Sequence, residues 1–467
     1  MRHSEQLSLT APWIGHVHAA ELAIISELLD SETRIAALAE QDLVQSCRKN
    51  AQTGRPGLTG DQVIRIALVR QMNSWTYAEL AFHLADSVSY RSFCRVGALS
   101  TTPSKSALAA NLRKLRPGTL HQINQLLVTS VAAGQIESGR TVRIDSTVIE
   151  SWVHVPTDST LLFDGVRVLL RLLRRAELLA GFTAYHSHLK RAKRRLMEIQ
   201  HAAPQATRAR RKAYRDLIAL AETTAGYVAC ALEELSAHVQ VHVQVHVQAR
   251  SFTSEKAPLA KPFIKLHREL AHYLALLERV ISQATRRVLD GDSVPATEKV
   301  VSLFESHTDV IVKDRRETYY GHKIFLTGGT SGLILDCAIT KGNPADSSWA
   351  VPMLKRQRSL YGSAPRQASF DGGFASKANL AQAKALGVSD VCFAKRRGLA
   401  VLDMVKSSWV YRKLRAFRAG IESVISLLKR AFGLDRCTWK GATAFVSYVR
   451  LGVLTANLLT LARHRLA

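Results

Sequence analysis

Apolar residues recur at helical spacing through the first part of the chain. After a turn at Gly54-Arg55-Pro56-Gly57, the residues Val63, Ile66, Ala67 and Val69 to Met72 keep a near-helical period, with Asp61 placed to cap the helix. Leu80, Phe82 and Leu84 predict a second helix from near Thr76. Leu108, Leu112 and Leu115 predict a third, opened by Ser104 and ended by Pro117-Gly118. Several short helices joined by short turns suit a helix-turn-helix-like module or a plain bundle, and the pattern does not choose between them.

At residue 141 the period changes. Thr141 to Glu150 (TVRIDSTVIE) is β-branched and alternates, which predicts a strand with Asp145 in its middle. A carboxylate there is unusual. Asp is a poor strand former, and burying its charge costs several kcal/mol unless it is paired or bound to a metal. Residues 156–300 return to helical spacing. Beyond 300 come short strands at Val310–Val312, Tyr320–Thr327 and Leu333–Thr340, the last two forming a hairpin. Asp346 is placed to cap a helix through Val351, Leu354 and Leu360. Gln367–Phe370 is a strand that delivers Asp371-Gly372-Gly373. A helix from Ser376 stops at Gly387, Asp390–Phe393 is a further strand, and helices over 411–432 and 442–463 close the chain. With 156–300 taken as an insertion after the first strand, this is the RNase H-like order. It describes an α/β chain whose mixed sheet carries helices on both faces, with a helical N-terminal domain and a large helical insertion. The expected division is 1–135 as a helical N-terminal domain, 136–155 plus 301–467 as the sheet domain, and 156–300 as a basic insertion.

Charge adds a partner. The 467 residues hold 64 Lys plus Arg against 38 Asp plus Glu, a net charge of +26, with 47% hydrophobic residues to build a core. Nucleic acid fits such an excess better than a merely basic surface or an anionic membrane. Between Arg167 and Arg215 there are fourteen Lys or Arg and only two acids, Glu177 and Glu198. Solvated helix faces usually mix signs, so this run favours contacts to phosphates. The His238–Gln248 alternation (HVQVHVQVHVQ) reads as an expanded surface repeat rather than a metal site. The six cysteines form no CxxC pair and are expected to be reduced, buried, small hydrophobes. The N-terminus lacks the apolar run of a signal peptide. The apolar segment after Trp439 is interrupted by Arg450 and Arg463, so no membrane span and a cytoplasmic, nucleoid-associated location are expected.

Three carboxylates fall at telling places: Asp145 on the first strand, Asp371 at the end of a later one, and Glu422 on the first C-terminal helix. At 100° per residue, the apolar positions of that helix from Leu414 to Phe432 span about −160° to −60° from Glu422. Arg415, Arg418 and Lys429 fall within about 40° of it. An ordinary i, i+4 ion pair with Arg418 would explain this as well as an active-site helix would. Asp158, Asp164, Asp336 and Asp346 read as turn caps and braces, with a supporting role at the site as the alternative for Asp346.

The motifs IDST at Asp145, YYGHKIFL followed by GLILDCAITKGNPADSS, FDGGFAS at Asp371, and Arg418, Glu422 and Lys429 in R-(3)-E-(6)-K spacing together resemble the DDE-type insertion-sequence transposases, most closely their ISNCY-like group. Arg415 stands where that family usually places a tyrosine. GRPGLTGDQVIRIALVRQMNSWTYAELAFHLADS resembles the helical domain often found in front of these enzymes. The resemblance implies metal-dependent phosphoryl transfer, with Asp145, Asp371 and Glu422 as catalytic residues and ligands of two Mg²⁺ ions (Mn²⁺ as a substitute). It implies Arg415, Arg418 and Lys429 as DNA contacts, duplex DNA at terminal inverted repeats and target as partner, and a homodimer on DNA. The alternatives are a catalytically inactive DNA-binding protein derived from such an enzyme, and a nuclease without strand transfer.

Overall fold

The computed structural model describes residues 16–45, 57–97, 101–133, 136–203, 205–248, 260–313 and 317–467. The Gly54–Pro56 part of the expected turn and Cys47 lie outside these. Two compact units emerge, residues 1–152 with 311–467, and residues 153–310.

Among the described residues the first unit opens with seven helices: α1 (Val17–Ser31), α2 (Arg34–Gln45), α3 (Gly60–Met72), α4 (Tyr77–Asp86), α5 (Val88–Phe93), α6 (Lys105–Leu112) and α7 (Pro117–Ala133). Their starts follow capping chemistry. Thr76 and Ser104 cap α4 and α6 as predicted. Two expectations are corrected. Thr59, not Asp61, caps α3, in a reciprocal capping box with Gln62. Asp61 instead binds the fully buried Arg65 and its neighbour Arg95. Pro117-Gly118 opens α7 rather than ending α6, because proline at a first helical position forfeits no hydrogen bond.

β1 (Thr141–Ser151) follows. After the second unit come β2 (Asp309–Lys313), β3 (Glu317–Gly328), β4 (Ile334–Ile339), α12 (Ala350–Tyr361), β5 (Gln367–Phe370), α13 (Lys377–Ala385), β6 (Asp390–Phe393), α14 (Val401–Met404), α15 (Ser408–Ala431), β7 (Arg436–Cys437) and α16 (Ala442–Leu466). Among the described residues the sheet has seven strands in the order β2-β3-β1-β5-β6, with β4 also on β3 and β7 also on β1. β1 is antiparallel to β3 and parallel to β5, β5 is parallel to β6, and β3–β4 is the predicted hairpin. It is a mixed sheet of RNase H-like order, behind a helical N-terminal region and with a long helical stretch after β1.

Strand alternation sorts β1 between two cores. Val142 and Ile144 join one apolar cluster with Ile25 of α1, Leu68 of α3, Leu127 of α7, Phe370 and Leu454, so N-terminal helices and sheet share a continuous interior. Ile149 points to the other face, where it packs with Ile324, Leu326, and Ile421 and Leu428 of α15. Asp145 has the parity of Ile149 and therefore projects on the α15 side. α16 is long and apolar enough to cross a membrane, yet most of it is buried, and its Asn457 bonds both the N–H and the carbonyl of Ile334 at 2.8 Å. Its polar interruption is satisfied in part: Arg450 Nη1 donates to the Pro117 carbonyl at 2.7 Å, while its Nε is buried without a partner among the described residues.

The second unit holds α8 (Asp158–Ala180), α9 (Leu189–His201), α10 (Thr207–Gln248) and α11 (Ala260–Ala284) around its own core of Leu169, Leu173, Leu217, Leu277 and neighbours. Thr157 caps α8, and Asp158 is a brace as expected, accepting from Gln283 and Arg287 at 2.7 Å. The His-Val-Gln-Val repeat is the end of α10, and its side chains after His238 lie outside the described residues. Four of the five described cysteines are buried as expected. Cys230 is exposed, because it falls on the outer face of α10.

Candidate active site

Register brings the first two carboxylates together. Ile144 of β1 is the parallel partner of Phe370 of β5, so Asp145 and Asp371 are the next residues on neighbouring strands, at the same end of the sheet. Adjacent strands lie about 4.8 Å apart, which makes the two side chains neighbours although 226 positions separate Thr141 from its partner Gln367.

α15 brings the third. Its amphipathic face lies on the sheet through Val410, Leu414, Ile421 and Leu428. Two polar ties fix its position: Ser369 Oγ donates to the Leu414 carbonyl at 2.9 Å, and Arg143 donates to the Phe417 carbonyl at 3.1 Å. Gly420 allows this close approach, since a Cβ there would sit 1.9 Å from Arg143 Nη1. One turn of α15 then projects Arg418 and Glu422 over the strand ends. Arg418 donates to Asp371 at 2.8 Å and to Glu422, and lies 3.7 Å from Asp145. All three predicted carboxylates therefore meet one guanidinium. They line a single cleft of about 800 Å³ with Lys313, Asp346 and Lys429. Lys429 is 3.5 Å from Asp435 at its rim. Arg415 is exposed on the same helix but does not line the cleft.

Exposure grades the acids. Asp145 is 16% exposed, Asp371 42% and Glu422 66%. Burial pushes the Asp145 carboxyl up to about 6. The Ser146 N–H at 2.8 Å and Arg418 oppose this, while Asp371 and Asp346 add to it. One guanidinium thus undercompensates the cluster.

Asp346 is the residue that sequence reasoning underrated. Its side chain caps nothing. It accepts from Ser146 Oγ at 2.9 Å and pairs with Lys323 Nζ at 2.7 Å, tying β1, β3 and the segment before α12 beside Asp145. The paired glycines after Asp371 make room for these neighbours: a Cβ on Gly373 would lie 2.8 Å from Asp346, and one on Gly372 2.8 Å from Lys395. A cation inside the otherwise apolar KIFL run was the available signal. Asp336, by contrast, is engaged elsewhere by Arg356 at 2.5 and 2.7 Å.

The donor set is all oxygen, which suits a hard divalent cation. Among the described residues no three acidic, His or Cys side chains already converge on one point, because Arg418 lies between them. The carboxylates fit such a cation in charge and chemistry, and the raised Asp145 marks the deficit that it would fill.

Neighbouring aspartates, one within β1 and one just past β5, with a third acid carried by the helix that covers them, form a carboxylate cleft on a sheet of RNase H-like order. Residues 282–458 match the family described as the Transposase DDE domain, and residues 15–114 match the Transposase domain (DUF772). With these two domains the chain belongs to the DDE transposase family, whose DDE domain implies a polynucleotidyl transferase that uses divalent metal and binds DNA. The DDE match contains Asp371 and Glu422 but begins after Asp145, whose place at the site comes from the β1–β5 register. No curated protein and no solved structure matches the chain significantly.

Proposed function

We propose that the protein is a DNA transposase of the ISNCY-like group, cleaving the ends of its element and joining them to target DNA by in-line phosphoryl transfer. The observation that carries this reading is the shared cleft of Asp145, Asp371 and Glu422, assembled from two parallel strands and one helix. Asp145, the most buried of the three, would hold the Mg²⁺ ions together with Asp371 and Glu422. Bound there, the ions supply an activated water or 3′-hydroxyl and stabilise the leaving oxygen. The chain's own groups do the rest. Ser146 and Asp346 orient the Asp145 strand. Arg418, released from its carboxylates, and Lys429 at the rim hold phosphate oxygens near the scissile bond, where a guanidinium fork suits them. The N-terminal helices recognise the terminal inverted repeats, and two copies synapse two ends as a homodimer.

A nicking and strand-transfer assay on the element's own ends tests this reading. Activity is expected with Mg²⁺ or Mn²⁺ and none with chelator. Asp145→Asn, Asp371→Asn and Glu422→Gln should each lower cleavage at least about 1,000-fold while DNA binding persists. Normal cleavage by Asp145→Asn would overturn it.

A further inference from the structure

The basic run of the second unit is the one motif that the cleft does not absorb. Of its fourteen cations, six are held within the unit. Arg167, Arg175, Arg191 and Arg195 pair with Asp164, Glu269 and Asp216, with Glu198 also on Arg195, while Arg210 and Arg211 donate to the Ala202 and Leu289 carbonyls. The two acids inside the run are taken as well, Glu198 by Arg195 and Glu177 by the Tyr185 hydroxyl. Six other cations, Lys190, Lys193 and Arg194 on α9 and Arg208, Lys212 and Arg215 on α10, are exposed and have no hydrogen bond or ion pair among the described residues.

Their placement is ordered. On α9 the buried residues are Ala192, Leu196 and Ile199. At 100° per residue the three free cations centre about 150–180° away from that stripe. On α10, Arg208, Lys212 and Arg215 fall within about 60° of one another, opposite the buried Ala213, Leu217 and Leu220. The two helices are neighbours in sequence, and Asp216 of α10 clamps Arg191 and Arg195 of α9, so both stripes belong to one helical hairpin. Solvated faces normally mix signs, whereas here the stripes collect one sign while Glu198 and Asp216 are taken by Arg191 and Arg195. Arg208 to Arg215 also spans roughly 10 Å of helix, enough to meet successive phosphates along a strand.

We propose that this outward face of the α9–α10 hairpin binds the phosphate backbone of duplex DNA without reading its sequence, as a surface separate from the catalytic cleft. The inference rests on the transposase reading for its choice of polyanion. Its chemistry is ammonium and guanidinium charges against phosphate oxygens, contacts that position a duplex without carrying sequence information.

The test uses the full chain in chelator, so that no cleavage intervenes, and a random-sequence 40-base-pair duplex titrated by fluorescence anisotropy from 50 to 300 mM NaCl. Lys190→Gln/Lys193→Gln/Arg194→Gln and Arg208→Gln/Lys212→Gln/Arg215→Gln are compared with a charge-matched control on α11, Lys261→Gln/Lys265→Gln/Arg268→Gln. Each hairpin triple is expected to flatten the plot of log K against log salt by about 2–3 and to weaken binding at least tenfold at 150 mM, with an unchanged thermal midpoint. The control should change the slope by less than 1. Equal losses in all three variants would mean diffuse charge and overturn the proposal, as would triples that bind DNA normally but lose affinity for phosphatidylserine vesicles. A wild-type chain that binds no duplex at low salt would instead defeat the transposase reading itself.

Discussion

Asp145 is held where its charge is least welcome, and that makes its removal informative. Moving a carboxyl from its ordinary 3.8 to about 6 disfavours the ionised native state by about 3 kcal/mol at neutral pH. The native form binds more protons than the unfolded chain between those values. The cost is therefore absent below about pH 4, grows as pH rises, and is complete above about pH 7. Asp145→Asn keeps the shape and the Ser146 N–H contact and loses the charge. Arg418 retains Asp371 and Glu422. With allowance for the lost attraction to Arg418, the variant should be about 1–3 kcal/mol more stable than wild type at pH 8 in chelator, with no gain near pH 4. Urea unfolding across that pH range measures it. Adding Mg²⁺ should reverse the order, since a ligand that binds only the folded wild type stabilises it by about 2.7 kcal/mol at a hundred times its dissociation constant. A variant that is less stable than wild type at pH 8 in chelator, or a gap that ignores pH, would refute the reasoning.

Other consequences can be measured alongside. Gly321→Ala places a Cβ 2.0 Å from the Ile149 carbonyl, so β1 and β3 must part and stability should fall by about 1–3 kcal/mol in the same unfolding assay. Asn457→Ala strands the backbone N–H and carbonyl of Ile334 in the core. A loss of about 2–4 kcal/mol is expected, with faster hydrogen exchange at the Ile334 amide. Ser146→Ala frees Asp346 from β1 and should lower cleavage about 10–100-fold with DNA affinity unchanged, read from single-turnover rates. Arg418→Lys keeps the charge but not the fork, and should recover little of the activity lost in Arg418→Ala.

What the sequence showed and what it hid follow from range. Local signals were dependable. The alternation around Asp145, the hairpin before Asp346, the caps Thr76 and Ser104, and the amphipathic face of α15 all stand in the structure where the residues placed them. Errors arose where several nearby residues could do one job. Thr59 outcompeted Asp61 as a cap because a reciprocal partner, Gln62, stood three positions on, and Asp61 was needed by Arg65. Asp346 looked like another cap because its partners, Ser146 and Lys323, lie on other strands. No periodicity reports a contact between positions 146 and 346. The same limit applied to the three candidate carboxylates, which could be nominated singly but whose meeting depends on the register of β1 against β5.

That register also explains Arg418. Parallel pairing of Ile144 with Phe370 makes two carboxylates neighbours on adjacent interior strands, and α15 adds a third, with Asp346 close by. Burial, with the repulsion of like charges adding to it, makes the most buried of them hold its proton up to about 6. A lone guanidinium reaching Asp371, Glu422 and Asp145 offsets part of this while leaving its own Nε buried without a partner. The arrangement is thus only half satisfied on both sides. Divalent cations would answer the carboxylates more fully and free the guanidinium, beside Lys313 and Lys429 of the same cleft, for the phosphate that arrives with them. The arginine that pairs with the three acids would, on the proposed function, be the group that clamps DNA.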